Sequence, residues 1–127
     1  MTKYAEMKDF LDAALPGKKV VYGYPRTAKP AKSGTSQSDV YITYMYVQKD
    51  VAPAVGQRIM STKEYYTITV QANYAKTCSD WLNVLLRATE GTNVQFFSSS
   101  VRKDPNIESS CIGSITLSLY KGDSDII

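Results

Sequence analysis

The sequence predicts an α+β fold, with a mainly antiparallel sheet of about five strands and two helices packed on one face. Two observations lead to this class. The hydrophobic period changes from two to about 3.6 near residue 74, which marks a strand followed at once by a helix. Further apolar runs rich in strand formers lie on both sides of that unit. The predicted order is α-β-β-β-α-β-β, in a single domain of residues 1–121 with a flexible tail at 122–127.

The chain begins with a helical pattern. An apolar stripe is formed by Tyr4, Met7, Phe10, Leu11, Ala14 and Leu15. Pro16 and Gly17 follow it, and neither continues a helix, so the pattern predicts a helix over residues 2–15. Residues 19–24 then form a short strand candidate, which Pro25 ends.

A basic segment separates this strand from the next. Between residues 18 and 38 there is no acidic residue, and the cations are Lys18, Lys19, Arg26, Lys29 and Lys32. A solvated loop and a loop that contacts phosphate are both compatible with this composition. Residues 39–48 are apolar at almost every position, which predicts a central or interface strand covered on both faces. A second loop is predicted over residues 49–61.

The strand and helix after this loop have the clearest pattern. On one face of the strand lie Tyr66, Ile68, Val70, Ala72 and Tyr74, and the helical stripe contains Cys78, Trp81, Leu82, Leu85, Leu86 and Thr89. Thr77 and Asp80 have the spacing of a capping box, and Gly91 stands where a left-handed residue often ends a helix. Residues 93–102 and 111–120 are predicted as two final strands around a turn at 103–106.

The residues for conventional catalysis are missing. The chain has no histidine and two cysteines, which disfavours the usual nucleophile and base pairs and most zinc sites. Cys78 and Cys111 are expected to be buried reduced thiols. The acidic residues show no paired arrangement, and no phosphate-binding glycine motif occurs. We therefore predict no enzyme activity, no catalytic residue, no cofactor and no metal site. We also predict no membrane segment or signal peptide, hence synthesis in a cytoplasm.

Tyrosine is abundant on the strand candidates. The chain has ten tyrosines, and three interpretations remain open for them. They could be ordinary strand formers, anchors of a protein interface, or stacking platforms for single-stranded nucleic acid. The interface interpretation makes Tyr41, Tyr44 and Tyr46 candidate contact residues. The third interpretation, combined with the basic loop, gives the alternative function of a small nucleic-acid-binding domain.

Taken in order, the elements resemble those of a known family. They are the apolar first helix, the strand that ends in Tyr-Pro, the basic loop, the strand Val-Tyr-Ile-Thr-Tyr and the unit Tyr-Thr-Ile-Thr-Val-Gln-Ala-Asn-Tyr-Ala-Lys-Thr. Over residues 3–121 this arrangement is similar to the tail terminator, or tail-completion, proteins of long-tailed bacteriophages. The most specific part is the strand that reaches Tyr-Ala-Lys-Thr and leads into an amphipathic helix.

The resemblance implies a structural virion protein located between the tail and the head. Members of the family form a ring, commonly a hexamer, that caps the tail tube, ends its polymerisation and contacts the head-completion protein. The implied partners are other copies of the chain, the tail tube protein and the head-completion protein, with DNA only passing through the lumen. The contact surfaces are expected on the loops 26–38 and 49–63. The candidate loop residues are Arg26, Lys29, Lys32, Gln57 and Arg58.

Overall fold

The computed structural model describes residues 5–25, 40–53, 59–105, 107 and 110–122, and these residues form two helices and five strands. In chain order the elements are α1 (Ala5–Ala14), β1 (Val20–Tyr22), β2 (Tyr41–Pro53), β3 (Ile59–Ala72), α2 (Ala75–Ala88), β4 (Val94–Lys103) and β5 (Cys111–Gly122). The predicted α+β class and the element order are confirmed. The last strand ends at Gly122, and residues 123–127 of the predicted tail lie outside the described residues.

The strands form one sheet in the order β1-β2-β3-β5-β4. Strand β1 runs parallel to β2, and every other neighbouring pair is antiparallel. Strand β3 is central with β2 and β5 on either side of it, whereas β1 and β4 lie at the edges of the described sheet. The prediction of a mainly antiparallel sheet is therefore confirmed.

The core lies against one face of the sheet, because alternate strand residues on that face are buried. A buried cluster contains apolar residues of the strands and of both helices, and it includes Met7, Leu11, Leu15, Ile42, Tyr44, Tyr66, Ile68, Val70, Cys78, Leu82, Leu85, Ile115, Leu117 and Leu119. Helix α2 approaches β5 so closely that a Cβ added to Gly113 would lie 3.1 Å from the Cβ of Cys78. Neither described helix is long and apolar enough to cross a membrane.

Strands β2 and β3 are longer than the sequence predicts. The loop predicted over residues 49–61 is wrong in part, since β2 continues to Pro53 and β3 begins at Ile59. Polar residues continue the ladder beyond the apolar pattern, and Lys49 and Glu64 face each other with a salt bridge of 3.4 Å. Backbone pairing does not require apolar side chains, so the hydrophobic pattern ended before the strands did.

Two details of helix α2 also differ from the prediction. The helix begins at Ala75 after Tyr74, which makes no side-chain capping bond, so the capping box at Thr77 and Asp80 is wrong. Leu86 is 40% exposed, although the predicted stripe included it. Gly91 has a φ of +74°, so the predicted left-handed residue after the helix is confirmed.

Candidate protein-contact surface

The predicted contact residues divide into two groups. The loop candidates Arg26, Lys29, Lys32, Gln57 and Arg58 lie outside the described residues. Of the cations in the basic segment, the structure describes Lys18 and Lys19. The Lys18 ammonium lies 5.0 Å from the centre of the Trp81 ring. A cation over an indole face is a stabilising contact.

The three strand tyrosines have different surroundings. Tyr44 is 1% exposed and makes an edge-to-face contact with Tyr22, with ring centres 5.0 Å apart. It is a core residue in this chain, so its ring offers no surface to a partner or to a nucleic-acid base. Tyr41 and Tyr46 are half-buried, and Tyr46 makes an edge-to-face contact with Tyr66 at 5.6 Å.

Two β-bulges bring apolar side chains to the face opposite the core. In β2 the pairing steps from Tyr46 to Gln48, which leaves Val47 as an extra residue. In β4 it steps from Phe96 to Ser98, which leaves Phe97 extra. A bulge redirects the side chain of its extra residue. Here Val47 is 53% exposed and Phe97 is 65% exposed.

These two residues border the same open cleft, which has a volume of about 370 Å³. Its lining is mixed apolar and polar, and consists of Val47, Gln48, Asp50, Tyr65, Thr67, Phe97 and Thr116. We call these residues the bulge face. Tyr65 of the central strand β3 makes an edge-to-face contact with Phe97, with ring centres 5.6 Å apart. The aromatic pair therefore spans the sheet from a central strand to an edge strand.

One carboxylate gives the bulge face its polar character. Asp50 accepts a hydrogen bond of 3.2 Å from the Gln48 side-chain amide. Desolvation raises the pKa of the Tyr65 phenol above its ordinary value, and a hydrogen bond with Asp50 raises it further. The phenol is consequently neutral at physiological pH and can donate a hydrogen bond. An aromatic surface with a few fixed polar groups is typical of protein interfaces.

The other end of the same sheet face is polar and covered. The Gln71 side-chain amide donates to Asp104 at 3.1 Å, and the hydroxyl of Ser110 donates to the carbonyl of Ala72 at 3.1 Å. Asp104 also accepts from the Ile107 amide at 3.3 Å. These bonds attach the β4–β5 connection to the sheet. Among the described residues of this face, Val47 and Phe97 of the bulge face are 53% and 65% exposed, whereas Tyr120 is 38% exposed.

Sequence reasoning missed both bulge residues. Val47 lies in a run that is apolar at almost every position, so no break in alternation marks it. The pair Phe96-Phe97 interrupts the alternation of Val94, Gln95 and Phe96, and such an interruption is compatible with an extra residue in a strand.

Within the described residues, no group of three or more histidine, cysteine, aspartate or glutamate side chains could hold a metal ion. Cys78 and Cys111 are free thiols, and burial raises the pKa of Cys78. The Cys78 thiol donates to the Val70 carbonyl at 3.4 Å. This hydrogen bond satisfies the buried Cys78 thiol within the core.

Comparison with known proteins adds no assignment, because no family model and no curated protein matches the chain.

Proposed function

We propose that the chain is a structural protein of a bacteriophage tail, which forms a ring on the tail tube and ends tube polymerisation. In this proposal the ring also joins the tail to the head-completion protein, and the protein is located in the virion. The bulge face is the observation that carries the proposal. It is a surface for contact with another protein, and it lies on a small α+β domain whose element order resembles that of tail terminators.

The bulge face supports a contact between neighbouring copies in the ring. Large apolar side chains exposed together on one surface often mark an interaction site. The β-bulges in β2 and β4 place Val47 and Phe97 on this surface, and each bulge leaves one residue of its strand without a facing partner in the ladder. A ring with two different faces is built from heterologous contacts, so the bulge face would meet a different surface of the next copy.

The proposal is tested by adding the purified protein to the tail tube protein of the same phage during tube assembly. We expect tubes to stop growing at a length set by the ratio of the two proteins, with a ring visible at one end by electron microscopy. Bovine serum albumin at the same concentration is the control. The proposal would be contradicted if, with the chain in molar excess over the tube protein, the tubes kept their usual length and showed no ring at either end.

The alternative of a single-stranded nucleic-acid-binding domain makes a separate prediction. It requires binding of an oligonucleotide whose affinity falls steeply as salt increases. The burial of Tyr44 does not favour it, since that ring is enclosed in the core. Fluorescence anisotropy of a labelled oligonucleotide at low salt distinguishes the two functions. A nucleic-acid-binding domain should bind the oligonucleotide tightly under these conditions, whereas a tube-capping protein should not.

A further inference from the structure

Strand β4 is an exposed edge of the sheet. It has ten residues, from Val94 to Lys103, and every one after Val94 is exposed. It pairs with β5 on one side, and no described residue pairs with its other side. An edge of this length presents backbone donors and acceptors that another strand can satisfy.

The register shows which backbone groups point away from β5. The Tyr120 amide donates to the Asn93 carbonyl at 2.9 Å, and this bond flanks the facing pair of Val94 and Leu119. That pair is therefore of the non-hydrogen-bonded kind, and the two kinds alternate along β5. It follows that Ser99, opposite Ile115, and Val101, opposite Gly113, direct their amide and carbonyl groups outward.

The N-terminal part of this edge is partly closed by the chain itself. The Thr92 hydroxyl donates to the Val94 carbonyl at 3.3 Å and accepts from the Val94 amide at 3.1 Å. The bulge at Phe97 then interrupts the strand. The regular open edge is the segment 98–103, with the sequence Ser-Ser-Ser-Val-Arg-Lys.

We propose that this segment pairs antiparallel with the same segment of a second copy, about a two-fold axis at Ser100. In this register Ser99 of each copy faces Val101 of the other, and the outward groups of both residues exchange hydrogen bonds. Ser100 then faces Ser100 of the second copy in a non-hydrogen-bonded pair. The contact is self-complementary, as a two-fold interface requires.

The charges favour this register over its neighbour. With the axis at Ser100, each Arg102 faces the uncharged Ser98 of the second copy, and the two arginines are separated by four positions along the ladder. With the axis at Val101, each Arg102 would face Ser100, and the two arginines would become diagonal neighbours about 7–8 Å apart. Like charges at that distance on one face repel, so the register centred on Ser100 is preferred to the one centred on Val101. A register centred on Ser99 would include the bulge at Phe97.

The two-fold contact goes beyond the proposed ring. A ring that contacts a tube on one face and a head protein on the other face has cyclic symmetry. A two-fold axis perpendicular to the ring axis would make these two faces identical, so it is not compatible with such a ring. The pairing therefore describes the protein before it reaches the tail. It covers the exposed β4 edge, which otherwise could pair with unrelated strands.

A cysteine pair tests the register. Serine-to-cysteine replacement at Ser100 places two thiols opposite each other, about 4.5 Å apart at Cα, which suits a disulfide. Ser98→Cys is the matched control, because it lies on the same face and is also exposed, but its two copies would be about 13 Å apart. Under mild oxidation we expect at least tenfold faster covalent dimerisation of Ser100→Cys than of Ser98→Cys, with the unsubstituted chain correcting for Cys78 and Cys111. Equal rates would overturn the proposal.

A second pair of variants tests the hydrogen bonds. Ser99→Pro removes an outward amide without removing a bond to β5, whereas Ser99→Ala keeps that amide. By light scattering over a range of concentrations, we expect dimers for the unsubstituted chain and Ser99→Ala, and a dissociation constant raised at least tenfold for Ser99→Pro. Circular dichroism verifies that both variants are folded. A monomeric unsubstituted chain at every concentration, or an unaffected Ser99→Pro dimer, would overturn the pairing.

The tube-capping assay separates this inference from the proposed function. If the protein caps tubes but its Ser100→Cys variant forms no disulfide-linked dimer, the ring proposal stands and the two-fold pairing is rejected. If the Ser100→Cys variant is linked rapidly but the protein does not cap tubes, the pairing stands and the ring proposal is rejected.

Discussion

At the scale of single residues, Leu85 and Leu86 show how burial decides the value of an apolar side chain. Leu85 is fully buried in the core, whereas Leu86 is 40% exposed. Leu85→Ala should lower the free energy of unfolding by about 2–5 kcal/mol, because it removes buried contacts and leaves a cavity. Leu86→Ala should cost less than about 1 kcal/mol. Urea denaturation measures both, and similar losses would contradict the burial assigned to these neighbours.

At the scale of elements, the close approach of α2 to β5 depends on the absence of a side chain at Gly113. An added Cβ would lie 3.1 Å from the Cβ of Cys78 and 3.2 Å from a methyl carbon of Leu82. Gly113→Ala should therefore destabilise the fold by about 1–3 kcal/mol.

Gly122→Ala is the matched control for this element-scale prediction. It lies in the same strand, and its added Cβ would meet the nearest atom, the hydroxyl of Tyr120, at an ordinary 3.6 Å. We expect a change within about 1 kcal/mol, since alanine also restricts the unfolded chain. Thermal unfolding compares the two variants, and an equal loss would show that the helix does not limit the space at Gly113.

At the scale of the whole molecule, the bulge face should matter for assembly and little for stability. Phe97 is 65% exposed, so Phe97→Ser should leave the melting temperature nearly unchanged while weakening tube capping at least tenfold. Val84→Ser is the control, because Val84 is an exposed apolar residue of α2 outside that surface. Equal capping by the two variants would exclude the bulge face from the ring contact. Capping efficiency is scored as the protein concentration that halves tube length.

The sequence predicted the fold well where burial produced a clean periodicity. The alternating residues of β3 and β5 and the buried positions of α2 were found from their period, because one face of each element is apolar. The ends of β2 and β3 were missed, since Lys49 and Glu64 pair through backbone and charge without an apolar pattern. Strand length in such a polar segment depends on tertiary pairing, which local sequence does not encode.

The candidate site was harder to predict than the fold. Tyr44 belongs to the core although its residue type suits an interface, because its position in β2 directs it to the buried face. Val47 and Phe97 gained exposure from bulges, and each bulge depends on the register with the neighbouring strand. Identifying the bulge face therefore required the pairing of the strands to be known, whereas identifying the core required only their periodicity.

The position of Lys18 over Trp81 gives the molecule a built-in optical probe. Trp81 is the single tryptophan of the chain, and it lies on α2 with the ammonium group 5.0 Å from its ring centre. Its emission should shift when α2 separates from the segment that precedes β1. Indole fluorescence can therefore follow the separation of these two parts of the molecule without an added label.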